Sequence, residues 1–150
     1  MGPFEMLSIS GSALTAERQR SEVIAANMAN AETTRTDAGG PYKRKEVVFS
    51  AAHASAFQLQ FASNSAAHHP GPTAGSVRLT QVVDDPAQPV MRYEPGHPDA
   101  NKDGFVAYPA INPVQEMVDL MGSVRAYQLN SSAVNAAKQM IQQSIDILKS

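Results

Sequence analysis

Residues 112–149 read NPVQEMVDLMGSVRAYQLNSSAVNAAKQMIQQSIDILK, and this stretch decides the fold. Asn112, Pro113 and Gln115 supply in order an N-cap, a first-turn proline and a capping-box partner, so a helix is expected to begin at 113. From there Met117, Leu120, Val124, Tyr127, Ser131, Val134, Lys138, Ile141, Ile145 and Leu148 are spaced alternately three and four apart. That spacing is a heptad seam, interrupted only by Ser131 and Lys138. A helix over 113–149 would run roughly 55 Å, too long for a domain of this size to bury alone. Its outer positions, among them Gln128, Asn135, Gln139, Gln142 and Gln143, are polar without charge, a composition that packs against further helices at low desolvation cost.

The N-terminus supplies a partner. Met6, Ile9, Ala13, Ala16 and Val23 form one helical stripe and Leu7, Leu14, Ile24 and Met28 a second, which predicts a helix over 4–30 of roughly 40 Å with Asn30 as a left-handed stop. Two stripes on one helix call for more than one neighbour. Between the arms, Tyr42–Phe49, Ser76–Val83, Pro89–Tyr93 and Gly104–Tyr108 read as short strands, and prolines place them at edges. The Ala-, Ser- and His-rich stretch 50–75 reads as a variable insertion with Phe57, Leu59 and Phe61 as its packing handles. The expected fold is therefore α+β: long N- and C-terminal helices pairing as an antiparallel, coiled-coil-like bundle, with a small β-rich middle region. The organisation is a helical arm 1–32, a middle region 33–111 and a helical arm 112–150.

Composition narrows the function. At 150 residues there is room for one domain-sized unit with arms and none for a large catalytic barrel. The absence of cysteine excludes disulfides, thiolate metal sites and cysteine nucleophiles. A net charge of -2 provides no general attraction to nucleic acid, and the cluster of Arg35, Tyr42, Lys43, Arg44 and Lys45 is read as a solvated strand edge. No run approaches the length of a membrane-spanning helix, so direct membrane insertion is not expected, and Glu5 with the Ser and Gly residues around it argues against a cleaved signal peptide.

The chemical motifs favour plain readings. Asp99, Asn101, Asp103 and Gly104 match the start of a calcium loop, but position twelve is Ala110 and prolines deny it flanking helices, so an Asx turn entering a strand is expected. His68 and His69 lack metal-ligand spacing, and His97 beside Asp99 implies no nucleophile. No catalytic residue, metal or cofactor is predicted. Asn130-Ser-Ser132 is a glycosylation pattern inside a helix seam and carries no expectation.

Several segments resemble one family. Ala26-Asn-Met-Ala-Asn30 followed by Thr33-Thr34 resembles the motif that ends the N-terminal helix of bacterial flagellar rod and hook proteins. Glu116-Met-Val-Asp119 with Arg125-Ala-Tyr127 and Asn130 is similar to their C-terminal helix motif. Thr33–Asp37 with Gly40-Pro-Tyr42, and Pro95–Ala100 leading to Gly104–Pro109, are similar to the proximal-rod members in particular.

The resemblance implies a non-enzymatic subunit of the basal-body rod, the periplasm-spanning shaft that transmits motor torque. It also implies passage through the flagellar type III export apparatus without signal cleavage. The implied partners are other proximal and distal rod proteins and the rod adaptor to the MS ring. Taken with the seams, it marks Ile9, Leu14, Val23, Asn27, Asn30, Met117, Leu120, Val124, Tyr127, Val134, Ile141, Ile145 and Leu148 as subunit-interface residues. The alternatives are a soluble coiled-coil adaptor or chaperone forming a small defined oligomer, or a hydrolase built on His97 and Asp99.

Overall fold

In the computed structural model, which describes residues 2–51 and 75–149, the chain runs α1 (Pro3–Ala29), β1 (Lys45–Ala51), β2 (Val77–Asp84), β3 (Val90–Tyr93), β4 (Phe105–Tyr108) and α2 (Pro113–Lys149). The α+β class is as the sequence predicts: two long helices and two small antiparallel sheets between them, β1 with β2 and β3 with β4. The insertion's Phe57, Leu59 and Phe61, and His53, His68 and His69, lie outside the described residues.

Helix α2 begins where capping chemistry places it, with Asn112 Oδ1 accepting a hydrogen bond from the Val114 amide at 3.0 Å. Helix α1 stops one residue short of the expected end, and the mechanism differs from the predicted one. No described residue other than glycine has positive φ, so Asn30 is not left-handed. Its backbone amide makes the last helical bond, to the Ala26 carbonyl at 3.1 Å, with side-chain Nδ2 donating to the same carbonyl at 2.9 Å, and the chain then turns with the Thr33 amide and hydroxyl donating to the Asn30 carbonyl and Oδ1. The left-handed positions of the following turn belong to Gly39 and Gly40.

The chain divides into two compact units. One comprises residues 20–48 and 81–123. Here α1 and α2 run antiparallel, as shown by the Ser21–Ser123 hydroxyl pair at 2.8 Å and by Asn27 donating to Glu116. The strand predicted from Tyr42 starts only at Lys45, because the Tyr42 amide is already committed to the Thr33 carbonyl across the turn. In the β3–β4 hairpin, Val90, Met91, Arg92 and Tyr93 face Tyr108, Ala107, Val106 and Phe105. Because side chains alternate, Val106 and Tyr108 share the buried face while Tyr93 and Phe105 stack edge-on, 5.3 Å apart, on the outer one.

The other unit comprises residues 1–19, 49–80 and 124–150. Its buried helical positions are small: Ser10, Ala16 and Ala137. Ser12 is a junction there, donating to the Ile9 carbonyl at 2.7 Å and accepting from the Val77 amide at 3.0 Å. The Thr80 hydroxyl donates to Ser50 Oγ at 2.8 Å across the sheet.

Candidate functional site

The end of α1, the start of α2 and the start of β1 meet at a buried polar node. Asn27 and Glu116 are each only 1% exposed. The Asn27 amide makes every hydrogen bond its two ends allow. Its nitrogen donates to the Lys45 carbonyl at 2.9 Å and to Glu116 Oε2 at 3.2 Å. Its oxygen accepts from the Lys45 amide at 2.9 Å and the Tyr42 hydroxyl at 3.1 Å. Asn27 thus brackets both backbone groups of Lys45 as a neighbouring strand would. Glu116 takes its second bond from Arg44 Nε at 2.7 Å, and that guanidinium also pairs with Glu46 and Asp85.

A carboxylate buried this completely is tolerable only with charge and hydrogen bonds supplied on the spot. Arg44 supplies the charge. Burial pushes the Arg44 guanidinium down, but the hydrogen bond and charge of Glu116, then those of Glu46, outweigh it and leave its pKa raised. Tyr42 is also raised, chiefly by burial, with Asp84 and Glu116 adding and Lys45 opposing. The basic cluster read as a solvated strand edge is therefore split. Arg35 is exposed beside Asp99, Lys43 is exposed and Lys45 pairs with Asp84 at 3.0 Å, but the Arg44 side chain is 22% exposed and faces inward to Glu116.

The loop 99–104 is the expected Asx turn: Asn101 Oδ1 accepts from the amides of Asp103 and Phe105, and Gly104 takes φ +81° to enter β4. Asp99 is held by the Thr34 hydroxyl at 2.8 Å and by Arg35 at 3.6 Å, while the His97 ring accepts the Asp99 amide through Nδ1. Tyr108 donates to Glu94 at 2.9 Å under the Arg92 guanidinium, and that bond, with burial, raises its pKa. Among the described residues no three His, Asp or Glu are placed to hold a metal ion. The cleft walled by Pro41, Tyr42, Arg44, Pro89 and Pro109 measures about 100 Å³, below the range of small-molecule sites. Two clefts around Gly39, of about 320 and 350 Å³, are open grooves.

The predicted interface residues separate by burial. Ile9, Leu14, Val23, Asn30, Leu120, Val134 and Ile141 are half-buried within the chain, Asn27 is buried, and Met117, Val124, Tyr127 and Ile145 are exposed. The Leu148 side chain lies outside the described set. Within residues 81–123, Met117 lies about 100° around the helix from buried Glu116 and Leu120 about 40°, so Leu120 is half-buried and Met117 exposed. Opposite Glu116, Leu120 and Ser123, an outward face of Val114, Met117, Val118 and Met121 covers about 100° of arc. Met121 is 62% exposed. Sequence reading passed over Val114, Val118 and Met121 because it followed a single seam, although a second apolar stripe at 114, 118 and 121 is present in the spacing.

Long terminal helices that meet at one buried junction, with small antiparallel sheets between them in the sequence and with exposed apolar faces, define an α+β protein of the paired-helical-arm class. Comparison with known proteins gives the family. Residues 7–35 match the family model described as flagella basal body rod protein, and residues 102–147 match that of the flagellar basal body rod FlgEFG protein C-terminal region. The chain is 37% identical over 153 residues to the flagellar basal-body rod protein FlgC of Bacillus subtilis, covering 99% of this chain and 100% of that one. It is 34% identical to the FlgC protein of Borreliella burgdorferi, covering 99% of both, and 34% identical to that of Salmonella typhimurium, covering 98% of both. The chain belongs to the FlgC family of flagellar basal-body rod proteins, a structural and non-enzymatic family of the flagellar basal body.

Proposed function

We propose that the chain is a proximal-rod subunit that polymerises through α1 and α2 into the periplasm-spanning shaft carrying motor torque. The observation that carries this reading is the outward face of Val114, Met117, Val118 and Met121, too apolar for water and uncovered within the chain. Burying each such side chain contributes on the order of 1.5–3 kcal/mol, enough over several residues to offset the ordering of an arm that is marginal alone. Its neighbours are other proximal and distal rod proteins and the rod adaptor to the MS ring. The subunit reaches them through the flagellar type III apparatus without signal cleavage, with its arms partly unfolded and completing their fold on assembly. Residues 1–32 and 112–150 act as assembling arms and 33–111 as the region between them. The interface comprises the exposed seam residues Met117, Val124, Tyr127 and Ile145 together with the outward face.

Val118→Asp with Met121→Asp tests this, because neither side chain is needed inside the chain. Expressed in a strain lacking its own copy, the double variant should be made at the normal level, leave the cells non-motile and be missing from isolated basal bodies. Normal motility would overturn the reading. A discrete small oligomer in sedimentation velocity, unchanged over a wide concentration range, would favour the soluble adaptor or chaperone instead.

A further inference from the structure

The antiparallel contact of α1 with α2 in residues 20–48 and 81–123 has little apolar content to fix its register. Ile24 is the buried large apolar residue of α1 there, with Val23, Met28 and Leu120 half-buried. Apolar contacts alone specify the register of paired helices weakly, and a polar residue at the seam specifies it. A slide of one turn in either direction sets Glu116 against Val23 or Ala31 in place of Asn27, and moves its carboxylate away from Arg44 Nε. Every slid arrangement then holds a buried carboxylate without partners and an Asn27 amide parted from Glu116.

We propose that Asn27, Arg44 and Glu116 form a register key, which selects one alignment of α1 on α2, and of β1 on both, by penalising the others rather than by adding net stability. Buried ionic groups replaced by apolar residues frequently leave stability unchanged, while a single buried polar residue at a helix interface can dictate register. The key joins segments far apart in sequence, through Asn27 to Glu116 and Lys45 and through Arg44 to Asp85 and Glu116. It thereby sets the axial position of α2's outward face relative to α1, since a slide of one turn would carry that face about 6 Å along, and any ordered assembly of identical subunits requires that position to be fixed. The inference stands on this geometry and does not depend on the rod reading.

Disulfide trapping reads register directly, because the chain has no cysteine of its own. Ser21→Cys with Ser123→Cys reports the native alignment, in which the two hydroxyls are 2.8 Å apart. Ser21→Cys with Asp119→Cys reports a one-turn slide. In the otherwise unchanged full chain the native pair should oxidise at least about tenfold faster than the slid pair, given the size of the penalty on an unpaired buried carboxylate. In the Glu116→Leu background, where Arg44 keeps Glu46 and Asp85, the two rates should converge to within about threefold with helicity retained. Arg44→Leu should converge them as well, since it removes the native alignment's advantage. Undiminished preference for the native pair in both backgrounds would overturn the key. So would loss of both disulfides together with helicity, which would make the node a stabilising contact and nothing more.

Discussion

Replacing Asn27 by aspartate keeps the shape of the side chain and inverts the chemistry of one end. The two bonds donated by Nδ2, to the Lys45 carbonyl at 2.9 Å and to Glu116 at 3.2 Å, become contacts between acceptors. Two ionised carboxylates 3.2 Å apart would repel by about 5 kcal/mol even at an effective dielectric of 20. The new carboxyl escapes by keeping its proton, which at pH 7 costs about 4 kcal/mol for a group with an unfolded pKa near 3.9. The protonated acid restores one donor of two, and the missing hydrogen bond adds about 1 kcal/mol. The expected loss is therefore about 5 kcal/mol, comparable with the whole stability of a small domain. Urea unfolding followed by far-UV circular dichroism measures it against the unchanged chain. The sign of the pH dependence is fixed: a carboxyl whose pKa is raised on folding destabilises more as pH rises, so at pH 5 the deficit should shrink by about 3 kcal/mol. A loss below about 1 kcal/mol at pH 7, or one that does not shrink on acidification, would refute the four-bond assignment of Asn27.

Other expectations follow from single contacts. Gly104→Ala would place a methyl 2.9 Å from Tyr93 Cε2 and 3.3 Å from Pro95 Cβ at a φ of +81°, and should cost about 1–3 kcal/mol in urea unfolding, whereas Gly96→Ala, which meets no atom within 4 Å, should cost less. The phenols of Tyr42 and Tyr108 should ionise above the usual value near 10, visible as a late phase in an ultraviolet titration that Tyr42→Phe diminishes. Since their folded-state pKa values are raised, the stability they contribute is complete below pH 10 and is lost as pH climbs beyond it. Leu120→Asp or Ile141→Asp, each placing a charge at a half-buried helix position, should abolish motility more severely than substitutions in 50–75; equal motility would count against the helical seam.

Elements whose cause is local were legible in the residues themselves. Asn112-Pro113 and the spacing beyond it mark α2, and the alternation around Val77–Val83 and Phe105–Tyr108 marks β2 and β4, because capping, helical period and strand alternation act within a few residues. The turn at 99–104 was legible for the same reason, since Asn101 bonds to amides two and four residues away. The helix stop at Asn30 was placed correctly to within a residue but given the wrong cause, because the chain leaves the helix through a turn that Thr33 closes on Asn30 rather than through left-handed backbone.

What the sequence alone determined is the presence of two long helices, their apolar stripes, the short strands between them and, through motifs at both ends, the family. Tertiary structure decided which stripe is covered. Arg44 in YKRKE reads as a surface charge until Glu116, seventy-two residues later, is found beside it, and Asn27 reads as a motif letter until its four bonds are seen to reach Tyr42, Lys45 and Glu116. Within 81–123, Leu120 turns toward buried Glu116 and Ser123 while Met117 and Met121 are left outward. Periodicity specifies that a face is apolar, but whether it meets its own chain or another depends on where distant polar groups can find partners, and that is a property of the folded arrangement.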